Sequence, residues 1–284
     1  WDSRGRPTVE VEITLRYGAQ GRAIAPAGAS MGTGEAVELR DGGDAFAGLG
    51  VENAVQSVTG EIAKALKGKD AADQGSIDKL LIDLDGTADK SRLGGNAMIA
   101  TSMAAAHATA AAQRMPLWQS LRESQGLPAP EFLPLPEIQI FGGGAHAGSR
   151  VDIQDYMVIA IGADSFAQAL DWTAQVYRAA AALMADAGGL QGVADEGGLW
   201  PNFNSNEEAL EMLMRAIEAA GLTPGQDMGV SLDIAASQFG NKGEYRLARD
   251  RRTLDSDDWS GVLVDWVERY PIVAVEDPFA EGDK

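Results

Sequence analysis

From about residue 128 onward, short apolar runs alternate with long amphipathic segments, and that rhythm leaves the chain few possible architectures. "YMVIAIG", "GVADEGG", "MGVSLDIAA" and "IVAVEDPF" read as strands or strand ends. Between them, "DSFAQALDWTAQVYRAAAALMADAGG" reads as a helix started by Asp164 or Ser165 and ended by Gly188. "SNEEALEMLMRAIEAAG" reads as a second helix, with capping-box spacing between Ser205 and Glu208 and a stop at Gly221. "DSDDWSGVLVDWVERYP" reads as a third. Strand and helix in repeated alternation imply a parallel α/β barrel or an open doubly wound sheet.

The first part of the chain has a different grammar, strands followed by helices. Val9, Val11, Ile13 and Leu15 alternate as a half-buried strand does. A Gly-, Ala- and Ser-rich loop follows within "GRAIAPAGASMGTGEAVELRDGG", and its composition predicts mobility. Val51, Ala54, Val55, Val58, Ile62 and Leu66 fall on one helical face. "SIDKLLIDLDG" gives a shorter helix, and the Ala-rich "GNAMIATSMAAAHATAAAQRM" a long one able to pack closely. This is an α+β pattern. "ESQGLPAPEFLPLPEIQI" carries four prolines and reads as the linker, giving expected domains of residues 1–127 and 128–284. The chain starts at Trp1 inside a strand motif and stops at Lys284 just past another, so both ends are expected to be cut.

Charge excludes some partners. The 284 residues carry 42 Asp plus Glu against 23 Lys plus Arg, a formal charge of -19, which opposes nonspecific binding to nucleic acid or an anionic membrane. No apolar run is long enough to span a bilayer, and no leader precedes the first strand. The absence of cysteine excludes a disulfide framework and fits a cytoplasmic setting.

The candidate chemistry lies where apolar runs end. Asp233 in "SLDIAA", Glu276 in "AVEDPF" and the pair Asp195-Glu196 in "VADEGG" each close one. In a parallel barrel those ends would meet on the carboxyl face. Three acids brought together repel, and an all-oxygen donor set favours Mg²⁺, with Mn²⁺ as the alternative. Taken singly, each is equally a helix cap or a solvated turn. His107 in the Ala-rich helix reads as a packing or surface residue, Arg40 and Asp41 as a structural pair, and Asp277, between Glu276 and Pro278, as either a turn former or a further group near the metal.

"DSRGRPTVEVEI", "GASMGTGEAVELRDG", "GGAHAG", "VADEGG", "SLDIAAS" and "AVEDPF" occur in order from one end of the chain to the other, and together they resemble the enolase (phosphopyruvate hydratase) family. The resemblance implies an α/β fold in which a small α+β N-terminal domain precedes a partial enolase-type (β/α)8 barrel. It implies a hydro-lyase of glycolysis and gluconeogenesis that interconverts 2-phosphoglycerate and phosphoenolpyruvate with two Mg²⁺ ions per closed site. It also implies a cytoplasmic homodimer or higher homo-oligomer whose partner is a small-molecule substrate, neither nucleic acid nor membrane. Residue by residue, Asp233 and Glu276 match two carboxylate ligands of the tightly held Mg²⁺. Ser30 matches the loop ligand of the second. Glu196 matches the acid that assists departure of the hydroxyl, His146 the histidine that closes near the phosphate, and Gln154 with Asp155 a Gln-Glu pair lining the pocket.

Three positions depart from the family pattern. Asp155 is one methylene shorter than the usual Glu, Ala27 replaces a common serine, and Trp200 replaces a different residue. They leave open a paralogue acting on a related phosphorylated or phosphonylated acid; a noncatalytic interaction protein of the same fold is the third possibility. The family's third metal carboxylate, its lysine base and its phosphate-binding arginine and serine match no position of this sequence. The 284 residues alone are therefore expected to be inactive and unstable, with apolar strand edges exposed.

Overall fold

The computed structural model describes residues 1–28 and 31–283. The chain divides into two compact units, Trp1–Glu131 and Phe132–Lys284. In the first, β1 (Val9–Thr14) and β2 (Gln20–Ala25) form an antiparallel hairpin. The alternation of Val9 and Val11 with polar neighbours puts both valines in the core. Helical residues follow as α1 (Glu52–Ser57), a π turn (Val58–Ile62) and α2 (Ala63–Leu66), so the single helix predicted over Val51–Leu66 is continuous but carries a bulge. Asp41 supports its start from outside, its carboxylate accepting from the Glu52 and Asn53 amides at 2.8 Å each. Arg40 is not its partner; that guanidinium pairs with Glu38 at 2.6 Å and reaches the Pro7 and Leu49 carbonyls.

Next come α3 (Gln74–Asp85), capped by the Asp73 side chain, α4 (Gly95–Gln113) and α5 (Leu117–Ser124). The alanines of α4 let the hairpin lie against it. Ala97, Ala100, Ala104 and Ala108 are fully buried, and a Cβ on Gly21 of β2 would stand only 2.1 Å from the Ala108 amide nitrogen. Only a hydrogen fits there.

The second unit holds β3 (Glu137–Gly142), β4 (Asp155–Ile159), α6 (Phe166–Asp186), β5 (Leu190–Val193), β6 (Leu199–Pro201), α7 (Asn206–Ala219), β7 (Gly229–Asp233), β8 (Gly240–Asn241), β9 (Glu244–Leu247), β10 (Arg252–Asp255), α8 (Ser256–Arg269) and β11 (Ile272–Glu276). Ser165 caps α6 and Ser205 caps α7 through their hydroxyls. The Glu208 carboxylate bonds the Asn204 amide at 2.6 Å rather than closing the box on Ser205.

Six strands form one open sheet in the order β11-β7-β4-β3-β6-β5. It is mixed, not parallel. β11 and β7 run parallel, and so do β3 and β6, but β4 is antiparallel to both its neighbours and β5 to β6. The reason lies in the connections: β3 and β4 are joined by twelve residues that hold one short 3-10 turn (Gly144–Ala147) and no α-helix to carry a crossover, and β5 and β6 by a tight turn, so each pair folds back on itself. Val176, Ala180 and Met184 of α6 and Leu210, Leu213 and Ile217 of α7 bury against Ile140, Tyr156, Val158, Val230 and Leu232 of the sheet. Tyr245 stacks on Trp259, whose indole N–H donates to the Pro278 carbonyl at 2.7 Å and fixes the segment just after Glu276. Among the described residues, no helix is long and apolar enough to cross a membrane.

Candidate functional site

Antiparallel β4 brings a third acid into line with the two at the strand ends. Asp155 opens β4 and stands opposite Asp233, which closes β7; Asp233 in turn stands opposite Glu276, which closes β11. Paired positions share a face of the sheet, so three carboxylates form a row across three adjacent strands. In a parallel sheet the first residue of β4 would lie at the opposite edge.

Burial and mutual repulsion raise the acids' affinity for protons. Burial pushes the Asp233 carboxyl up to about 6, with the charges of Asp155, Glu276 and Asp277 adding to it. Asp155 is 7% exposed, and its carboxyl is also raised, chiefly by burial and further by Glu196, against the lowering influence of Gln139, His146 and Gln154. A divalent cation relieves this kind of crowding, and the oxygen-rich donor set fits a hard one.

The glycine-rich loop 142–148 delivers His146 to the row. A Cβ on Gly143 would lie 2.2 Å from the Ile153 carbonyl oxygen and 2.4 Å from Val151 Cγ2, so the loop can cross the start of β4 only as glycine. The His146 ring is buried, with Nδ1 2.6 Å from Asp195 Oδ1. A carboxylate accepts, so Nδ1 carries a proton. Nε2 then faces Glu196 Oε2 at 3.6 Å and Asp155 Oδ2 at 3.9 Å. One ligand atom from each of His146, Asp155 and Glu196 lies within 4.8 Å of the others; a shared proton or a cation is what such a convergence can hold.

Asp195 and Glu196 sit on the turn between β5 and β6, held by the Ala194 amide donating to the Gly198 carbonyl (2.7 Å) and the Gly197 amide to the Ala194 carbonyl (3.0 Å). Their expected position, at the end of a strand in a parallel array, is thus corrected: they ride on an antiparallel hairpin and reach the row through His146. Gln154 donates to Asp233 Oδ2 at 2.8 Å and accepts from Gln238, whose own Oε1 accepts from the Ala145 amide in the histidine loop. Just past the strand ends, Ala235 (φ 47°) and Asp277 (φ 44°) are left-handed. Such strain gathers where chain direction is fixed for function.

Of the sequence-derived candidates, Glu196, Asp155, His146, Gln154, Asp233 and Glu276 therefore gather at one edge of the sheet. Ser30 lies outside the described residues. Sequence reasoning did not find Gln139 and Gln238; a polar residue between Ile138 and Ile140 of β3 was the available signal for Gln139. His107 is half-buried on α4, as expected of a packing residue.

Residues 1–121 match the family model "Enolase, N-terminal domain", and residues 130–284 match "Enolase, C-terminal TIM barrel domain". The chain belongs to the enolase family. It is similar over its whole length to "Enolase 1" of Desulfitobacterium hafniense (strain Y51), with 48% identity over 286 residues, and it spans 64% of that relative's length. The open mixed sheet agrees with part of an enolase barrel.

Proposed function

We propose that the intact protein is an enolase that reversibly dehydrates 2-phosphoglycerate to phosphoenolpyruvate, with Mg²⁺. The observation that carries this is the in-register row of Asp155, Asp233 and Glu276, faced by His146 and Glu196. Asp233 and Glu276 would hold the metal, and their crowding fits it. When bound, Mg²⁺ supplies positive charge that offsets the negative charge developing on the substrate carboxylate.

The chain's own groups account for the rest. Glu196 protonates the departing hydroxyl, a poor leaving group that needs a positioned acid. Asp155 faces the same His146 Nε2 at 3.9 Å and lines the site beside Glu196. Asp195 fixes the His146 tautomer and ring orientation, so that Nε2 points to the substrate side, and Gln154 orients Asp233. Ser30 is the proposed ligand of a second Mg²⁺. A homodimer or higher homo-oligomer in the cytoplasm belongs to the same proposal, as does a domain boundary near residue 128. The 284-residue chain alone is proposed to be inactive.

The test is formation of phosphoenolpyruvate from 2-phosphoglycerate by the full-length protein, with and without Mg²⁺, and with a panel of related phosphorylated and phosphonylated acids. Metal-dependent turnover of 2-phosphoglycerate above the others is expected. Preference for another acid would shift the assignment to a paralogue, for which the shorter Asp155 is the structural reason.

A further inference from the structure

Gln139 is used by none of these steps, yet four features converge on it. Its side-chain amide donates to Asp155 Oδ1, and its Oε1 accepts from the Gly198 amide at 2.8 Å. One side chain thus bridges the acid row and the turn that carries Glu196. Only one orientation of the amide satisfies both partners, since the carboxylate must accept and the backbone N–H must donate.

The backbone is shaped around this bridge. Gln139 stands opposite Met157, two residues from Asp155 on the same face, a diagonal distance of about 7–8 Å that only a long side chain can cover. The β3–β4 register slips between Gln139 and Phe141, and this bulge sets Gly142 rather than a bulky residue opposite Asp155. A Cβ on Gly142 would come within 3.2 Å of Gln139 Oε1 and 2.6 Å of Ala194 Cβ. On Gly198 it would stand 2.1 Å from the same Oε1. Both glycines leave the channel that the amide occupies.

We propose that Gln139 is a positioning residue, length-matched to Asp155, which holds that acid and the Glu196 turn as a single unit. This rests on assigning Asp155 and Glu196 to the dehydration site. A short acid paired with a long amide fills the diagonal; moving one methylene from Gln139 to position 155 keeps the sum and should preserve the bridge, whereas either change alone breaks it.

The experiment compares Gln139→Asn, Asp155→Glu, the double substitution and the isosteric Gln139→Met in the full-length protein. Two readouts are taken: amide exchange at Gly198 by NMR, and kcat and KM for 2-phosphoglycerate. Gln139→Met should speed Gly198 exchange about tenfold or more while amides of β7 keep their protection. It should lower kcat roughly 10- to 100-fold with KM within about threefold. Each single length change should do the same, and the double should return both readouts to within about threefold of the parent. A double variant no better than its worse single, or unchanged Gly198 exchange in Gln139→Met, would overturn the pairing. Should the parent protein fail to turn over 2-phosphoglycerate, the enolase assignment falls, and Gly198 exchange across the four variants still decides the pairing.

Discussion

Asn206→Ala is the substitution expected to damage the second unit most for its size. Asn206 is fully buried at the start of α7. Its Oδ1 accepts from the Asp152 amide at 2.7 Å, and its Nδ2 donates to Asp152 Oδ2 at 2.8 Å and Asp250 Oδ2 at 3.0 Å. Asp152 also accepts from the Ala248 and Arg249 amides. The asparagine thus joins three segments, including the one that leads into Gln154 and Asp155. Alanine removes one neutral bond and two to carboxylates and leaves a buried N–H unpaired, a loss of about 3–5 kcal/mol. Urea unfolding followed by tryptophan fluorescence should show a midpoint lower by on the order of 2 M, reported by the buried Trp259 and Trp266. Asn206→Asp keeps the acceptor but replaces the Nδ2 donor with a carboxylate oxygen that faces the Asp152 and Asp250 carboxylates. The introduced carboxyl is then harder to ionise folded than unfolded, so its penalty is full near pH 7.5 and shrinks as pH falls toward about 4. A loss under about 1 kcal/mol for alanine, with a pH-independent aspartate variant, would refute the network's role.

The Asp233 carboxyl, raised to about 6 when folded against about 3.9 unfolded, binds its proton more tightly in the native state. With chelator present, stability should therefore rise as pH falls from 7 towards 5, and Asp233→Asn should flatten that part of a melting-temperature profile; the parent retaining its slope after the substitution would contradict the crowding described above. Mg²⁺ should raise the melting temperature of the parent and not that of Asp233→Asn. Asp41→Ala should cost the first unit about 1–2 kcal/mol through the lost cap of α1, with Asn recovering part of it, measured by thermal unfolding. Gly143→Ala forces a methyl against the Ile153 carbonyl and should cost about 1–3 kcal/mol while shifting the His146 ring resonances; an unshifted ring would mean that the loop absorbs the clash elsewhere.

Local pattern made the acids at the ends of β7 and β11 legible, because each closes an apolar run, and the helices α6, α7 and α8 were legible from their caps and period. Pattern also marked the Asp195-Glu196 pair, while the family resemblance supplied what pattern could not, the expected role of Glu196 and the significance of His146. The hairpin of β3 and β4 escaped notice because β3 follows a proline-rich stretch and carries the polar Gln139 within a six-residue strand, so "EIQI" read as the end of a linker. With it went the direction of β4, and hence the alignment of Asp155 with Asp233. The Asn206 network and the Gln154–Gln238 link join residues tens of positions apart, and no local spacing encodes such partners. The three short strands β8, β9 and β10 were likewise too brief to register as a period.

The assignment of Glu196 to the leaving group, with proton removal left to another residue, can be tested directly by following 2-phosphoglycerate in D₂O by NMR with the full-length protein and its Glu196→Gln variant. The account predicts that the variant loses phosphoenolpyruvate formation but still exchanges the C2 proton with solvent in the presence of Mg²⁺. Phosphoenolpyruvate formed by the variant at the parent's rate, or loss of C2 exchange together with product in a variant that remains folded, would contradict it.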